Sequence, residues 1–285
     1  MVARFLTRLI DGQRVWAKPL GDFNRRWLSW IIDRTGSIKD FLHGRWLGHP
    51  LHSATTDIPI GALTVAIVLD VLNLRAAADV SLVIGILFMV LSAFSGAADY
   101  TDTDGTALLR ATVHSTLMVL ALILFVVSLA LRSSDPADRA VPIVLSVAAY
   151  AVLLAGAYVG GDVAYVLGTM VNRHAFRAGK RDWAAIEIEG GELPDGVPVR
   201  AGAGATTLVL VRLGATIHAM DGRCAHAGGP LFEGPLVDGC IECPWHGSRF
   251  RVETGHVRRG PAVYDQPAYE VRQTEGGRWE ARRRP

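Results

Sequence analysis

Four apolar runs dominate the middle of the chain: Ile58 to Leu74, Val80 to Ala98, Ala111 to Leu131 and Ala140 to Gly160. Each is apolar on every face and carries its polar residues at its ends. Runs of about 17 to 21 residues match a hydrocarbon core of roughly 30 Å. The short connections predict an antiparallel bundle of four transmembrane helices. Small residues in the second and fourth runs (Ser92, Ala93, Ser95, Gly96; Ala155, Gly156, Gly160, Gly161) predict close helix contact. Before the bundle, residues 1–48 mix basic side chains with Phe5, Leu9, Trp27, Trp30, Ile31 and Leu42, a pattern of short amphipathic helices at a membrane surface. After it, apolar and polar residues alternate between Gly and Pro turns, as in the stretches from Thr206 and Ala215, which predicts an all-β module. The expected organisation is a surface segment at 1–48, a four-helix transmembrane domain at 49–171, a basic linker at 172–182 and a β domain at 183–285.

Composition agrees with this multidomain reading. Half of the 285 residues are hydrophobic and the mean hydropathy is +0.28, too apolar for an ordinary soluble chain. A net charge of +2 makes no case for a nucleic-acid partner. Its distribution is more informative. Residues 1–48 hold nine Lys or Arg, and the exit from the fourth run holds Arg173, Arg177, Lys180 and Arg181. The other side shows only Arg75, Arg132 and Arg139. Both termini are therefore expected in the cytoplasm of a multi-pass protein. Arg25-Arg26 lacks the following apolar stretch of an export signal, so no cleaved leader is expected.

The chemistry concentrates in residues 224–250, CAHAGGPLFEGPLVDGCIECPWHGSRF. Two short pairs, Cys224-x-His226 and Cys243-x-x-His246, stand at either end of this stretch. Two thiolates and two imidazoles suit either zinc or an iron–sulfur centre, and the ligand set alone leaves both open. Gly228, Gly229, Pro230, Pro244 and Gly247 make loops in which backbone amides can approach sulfur closely. The third cysteine, Cys240, reads as a small buried thiol. No disulfide framework is present, which suits a reducing compartment.

These two loops and the trailing GSRF resemble the Rieske [2Fe-2S] family. The resemblance implies that Cys224 and Cys243 bind one iron and His226 and His246 the other, on the exposed side. Respiratory Rieske proteins carry an extra cysteine in each loop; here Ala227, Gly228 and Trp245 leave no such disulfide. Their Ser and Tyr donors after the second pair correspond to Ser248, which keeps its hydroxyl for a cluster hydrogen bond, and Phe250, which has none. The resemblance is thus to lower-potential ferredoxin-like and oxygenase-associated modules.

Ionisable residues beside the apolar runs gather at the end expected to be cytoplasmic: His49, His52, Asp57, Asp99, Asp102, Asp104 and His114. The segment LHGRWLGHPLH, the following DIPIG, His114 and the GGD at 160–162 resemble a bacterial family of four-helix membrane proteins of unknown function, over about residues 41–171. Such domains also occur fused to Rieske modules. A histidine of the first helix, His49 or His52, facing His114 can ligate haem b across the bundle. The plainer reading is helix capping, bonds to Asp57 or Asp102, or a place among lipid headgroups, and a metal site or quinone pocket is a third. Asp70, at the far end of the first run, is expected to bond within the bundle or reach the interface. No internal repeat stands out.

The functional expectation is a membrane-anchored electron-transfer protein, an oxidoreductase component rather than a stand-alone catalyst, with no catalytic acid or base of its own. Its partners would be the lipid bilayer, an electron donor or acceptor protein, and quinone. The segment that follows His246 is too short for the second iron domain of a Rieske oxygenase. The alternatives are a ferredoxin component feeding a separate oxygenase and a membrane-tethered redox sensor.

Overall fold

The computed structural model describes residues 2–134, 138–175 and 182–284. Most of the basic linker expected at 172–182, including Arg177, Lys180 and Arg181, lies outside the described residues. The chain divides into two compact units, residues 1–42 with 50–169, and 43–49 with 170–285.

The first unit is helical. Helices α1 (Val2–Asp11), α2 (Arg14–Ile32) and α3 (Ser37–Leu42) precede the short α4 (Leu51–Thr55), which runs on into α5 (Asp57–Val71). Helices α6 (Arg75–Thr101), α7 (Gly105–Ser134) and α8 (Ala140–Gly161) follow. Four helices are long and apolar enough to cross a membrane: Leu51–Val71, Arg75–Thr101, Gly105–Ser134 and Ala140–Val166. Their buried faces meet through Leu63, Leu82, Met89, Phe125 and Leu153, while Val68, Leu87, Phe94, Ile123 and Val144 stay exposed on the outer surface. Large apolar side chains facing outward are what a lipid-facing surface requires. Helix α2 docks on α7 at its small residues. Ala17 packs with Leu109 and Val113, a Cβ on Gly21 would lie 2.5 Å from Thr112 Oγ1, and Arg25 donates to the Thr103 carbonyl at 3.1 Å.

One charge read from the sequence as lying outside the runs, Arg132, is buried inside the bundle, and Asp70 bonds within the bundle, one of the two placements expected of it. Arg132, counted above with the loop before the fourth run, is part of α7 and pairs with Asp70 at 2.5 Å, both side chains buried. Charged groups in an apolar interior need such a partner, and Asp70 and Arg132 supply each other. Arg110 is likewise buried, bonded to Asp162 and held by Asp11 at 3.1 Å.

Among the described residues the second unit is all-β apart from one short helical turn. Six strands close an antiparallel barrel: β1 (Ala184–Ile188), β2 (Val199–Ala203), β3 (Thr206–Leu213), β4 (Thr216–Asp221), β9 (Ala268–Gln273) and β10 (Trp279–Arg283), in the order β1-β10-β9-β4-β3-β2. A four-stranded sheet, β5 (Leu236–Val237), β6 (Cys240–Glu242), β7 (Arg249–Arg251) and β8 (Val257–Arg259), is inserted between β4 and β9. The run LVLV at 208–211 is apolar on both faces because β3 is buried on both. Leu208 and Leu210 enter the barrel core, and Val209 and Val211 pack under the small sheet with Ile241, Phe250 and Val252.

Candidate metal centre

The two Cys/His pairs sit in loops of matching construction. The first follows β4 and the second joins β6 to β7. In the first, the Cys224 amide donates to the Gly229 carbonyl at 2.8 Å and the Gly228 amide donates back to the Cys224 carbonyl at 2.9 Å. In the second, the Cys243 amide donates to the Ser248 carbonyl at 2.8 Å and the Gly247 amide to the Cys243 carbonyl at 3.0 Å. Gly228 and Gly247 occupy the same place in each turn with φ +83° and +73°, the left-handed region that glycine enters without strain.

The loops bring the four side chains together. The two sulfurs are hydrogen-bonded neighbours, and the rings of His226 and His246 lie 5.0 Å apart between centroids. The amides of His226 and Ala227 donate toward Cys224 sulfur, and those of Trp245 and His246 toward Cys243 sulfur. Cys243 is lowered to about 7, chiefly by the Cys224 hydrogen bond; burial opposes the shift and the two amides add to it. Cys224 is raised, first by the bond to Cys243 and then by burial. A Cβ on Gly229 would stand 2.8 Å from Cys243 sulfur, so the first loop approaches the second as closely as a backbone can.

Burial grades across the site. Cys224 and Cys243 are 1% and 3% exposed and His226 is 5% exposed. His226 is therefore deeper than the exposed placement the resemblance implied. His246 is half-buried, and the adjacent Trp245 is 57% exposed, so the site has one open edge. Ser248 is fully buried, and its hydroxyl oxygen accepts from the Ala262 amide at 3.0 Å, which leaves its own proton to donate. Phe250 is core, with no polar atom to offer.

Two supports carried no sequence signal. Gln266, on the way into β9, donates to the carbonyls of Asp221 at 2.7 Å and Arg223 at 2.5 Å, and accepts from the Ala225 amide at 3.0 Å. His174 Nε2 bonds the Arg223 carbonyl at 2.9 Å. A single glutamine therefore fixes both sides of Cys224. It belongs to no motif and could be found only once β4 and β9 are neighbours.

The donor set fits a two-iron cluster. Two irons ask for a sulfur pair and a nitrogen pair, and the loops set Cys224 beside Cys243 and His226 beside His246. Comparison with known proteins agrees. The family model of the Rieske [2Fe-2S] domain matches residues 184–270. The anthranilate 1,2-dioxygenase ferredoxin subunit of Burkholderia cepacia is 31% identical over 85 residues, 30% of this chain and 79% of that protein. The chain belongs to the Rieske [2Fe-2S] family. Another Rieske relative, ferredoxin CarAc of Metapseudomonas resinovorans, is 37% identical over 73 residues, 26% of this chain and 68% of that one. Apoptosis-inducing factor 3 of mouse and human is 34% identical over 65 residues, 23% of this chain, which spans only 11% of the length of those proteins. Residues 48–173 match a second family, a predicted membrane protein (DUF2231).

In the helical unit the structure brings together His52 and His114, whose rings lie 6.2 Å apart. Neither bonds Asp57 or Asp102: His52 Nδ1 meets the Ser92 carbonyl, His114 Nδ1 the Gly156 carbonyl, and Asp102 pairs with Lys39 at 3.1 Å. His49, exposed, is grouped with the second unit.

Proposed function

We propose that this protein is a membrane-anchored one-electron carrier, with Cys224 and Cys243 holding one iron of a [2Fe-2S] cluster and His226 and His246 the other. The observation that carries the reading is the pair of matched loops that sets sulfur beside sulfur and imidazole beside imidazole. When bound, the cluster supplies a one-electron couple. The chain's part is to hold it: the loop amides donate toward sulfur, Ser248 donates a further hydrogen bond, and Phe250, Ile241 and Leu231 keep water from the sulfur side. Trp245 and His246 form the edge at which a partner docks and electrons enter or leave.

The electron passes between a soluble partner and a membrane redox centre, quinone or partner oxidoreductase. Relatives named as ferredoxin subunits of dioxygenases favour a second destination, a separate oxygenase. Both termini face the cytoplasm on this reading. The burial of Arg132 against Asp70 supports it, since it removes one of the three positive charges from the opposite side.

The test uses membranes containing the full chain. A redox titration of the cluster should be reversible with one electron per chain. A cysteine placed at exposed Glu275 should react with a membrane-impermeant maleimide in inverted vesicles and not in intact spheroplasts. Labelling in spheroplasts would reverse the orientation, and an irreversible or absent redox wave would remove the carrier function.

A further inference from the structure

The four-helix bundle contains a duplication that its surface residues hide. The buried positions of α5 are Pro59, Leu63, Ala66 and Asp70. In the same part of α7 the buried positions are Ala121, Phe125, Ser128 and Arg132, each at the offset that separates Asp70 from Arg132. Buried Ala78, Leu82, Gly85, Met89, Ser92 and Ser95 of α6 recur in α8 as Pro142, Ser146, Ala149, Leu153, Gly156 and Val159, again at one constant offset. The two helix pairs thus repeat one packing scheme, related by an approximate two-fold axis along the bundle, as in parallel membrane repeats. On such an axis, equivalent residues meet. Asp70 and Arg132 do so at one end, and His52 and His114, which share their offset, do so at the other.

The histidines are held identically. His52 Nδ1 lies 2.9 Å from the Ser92 carbonyl and His114 Nδ1 lies 2.8 Å from the Gly156 carbonyl, positions that are themselves repeat equivalents. Each ring also lies against a glycine one turn further along the same helix. A Cβ on Gly96 would stand 2.9 Å from Cε1 and Nδ1 of His52, and a Cβ on Gly160 2.9 Å from the same atoms of His114. A carbonyl can only accept, so each Nδ1 carries a proton and Nε2 is the ring nitrogen left to ligate. This is how metal-ligating imidazoles are commonly oriented, with the other ring nitrogen donating to a carbonyl.

We infer that His52 and His114 are the two axial ligands of one haem bound at the two-fold axis of the bundle. Two imidazoles on opposite sides of one metal ion, with metal–nitrogen bonds of about 2.0–2.1 Å, have ring centres roughly 6.3 Å apart; these are 6.2 Å apart. A bare ion would need more ligands, and among the described residues no third His, Cys, Asp or Glu joins this pair. A tetrapyrrole brings the other four nitrogens itself and suits the apolar surroundings that Leu117 and Met118 supply beside Gly156. The haem iron takes up one electron on going from ferric to ferrous, which matches the single electron of the cluster. In this respect the inference rests on the carrier reading.

The test is an absorption spectrum of the full-length protein, expressed with a haem precursor, purified in detergent and then titrated with haem. The same samples are followed by EPR of the reduced cluster, so failure at the haem and failure at the cluster read out separately. The wild type should show a low-spin b-type spectrum at one haem per chain. His52→Ala and His114→Ala should each lose that spectrum, keep the cluster signal, and regain low-spin haem when imidazole is added. A wild type that takes up no haem, or a double variant that keeps the low-spin spectrum, would overturn the inference.

Discussion

Arg132 grips Asp70 with both arms of its guanidinium, Nη1 to Oδ1 at 2.8 Å and Nη2 to Oδ2 at 2.5 Å, with both side chains buried in the helical unit. Arg132 also reaches Asp79 at 3.0 Å. Removing one partner of a buried pair leaves an uncompensated charge, which typically costs about 3–5 kcal/mol. Asp70→Asn should therefore lower thermal stability in detergent strongly, toward the smaller of those values because Asp79 remains. The double variant Asp70→Leu with Arg132→Met should recover most of the loss. Equal destabilisation by the single and double changes would show that the pair is not what matters there.

At the cluster site the tightest steric constraint is Gly229. A methyl group at that position would stand 2.8 Å from Cys243 sulfur, and the neighbour that must yield is a ligand. Gly229→Ala is expected to cut iron and acid-labile sulfide per chain several-fold while the helical unit stays folded. Full cluster content in this variant, measured by iron and sulfide assay, would contradict the packing argument.

Gln266 should act on cluster lifetime. Its three hydrogen bonds fix the backbone on either side of Cys224, and each buried polar group left unpaired costs about 1–3 kcal/mol. In Gln266→Leu the cluster should form but bleach faster in air than in the wild type, as followed by its visible absorption.

Ser248 should set part of the potential. Its proton is free to point toward cluster sulfur, and such a donor stabilises the reduced form. Ser248→Ala removes a hydrogen bond of about 1 kcal/mol, equivalent to roughly 40 mV for a one-electron couple. The potential should fall by that order in a redox titration. An unchanged potential would mean that the hydroxyl serves only Ala262.

A pH effect is expected at His218 on β4. Burial lowers its pKa below the ordinary 6.5, with Glu253 opposing. The folded state then binds fewer protons than the unfolded state as pH falls through 6.5, so this contribution to stability is full above that pH and is lost below it. His218→Gln should flatten the acid limb of the stability profile of the intact protein, and a parallel profile would rule the contribution out.

Much of this architecture could be read from the chain. The two Cys/His pairs announce themselves because ligand spacing is local, and the transmembrane helices because lipid tolerates few charges. What escaped reading depends on contacts between distant segments. Arg132 looked like a loop charge because its partner, Asp70, belongs to a helix far away in the sequence. The duplication was hidden because most of the repeating positions are buried ones filled by chemically different residues, such as Leu63 and Phe125, and because the offset differs between the two pairs of helices. Gln266 needed the pairing of β4 with β9, and His226, 5% exposed, proved deeper than its place in the motif suggested.

The central claim is that the C-terminal domain carries a two-iron cluster with a sulfur side and a histidine side. EPR of the dithionite-reduced, detergent-purified full chain tests it most directly, with metal analysis of the same sample. The account predicts a Rieske signal integrating to one cluster per chain, lost in Cys224→Ser and in His246→Ala alike. A silent sample that contains zinc in place of iron would contradict it.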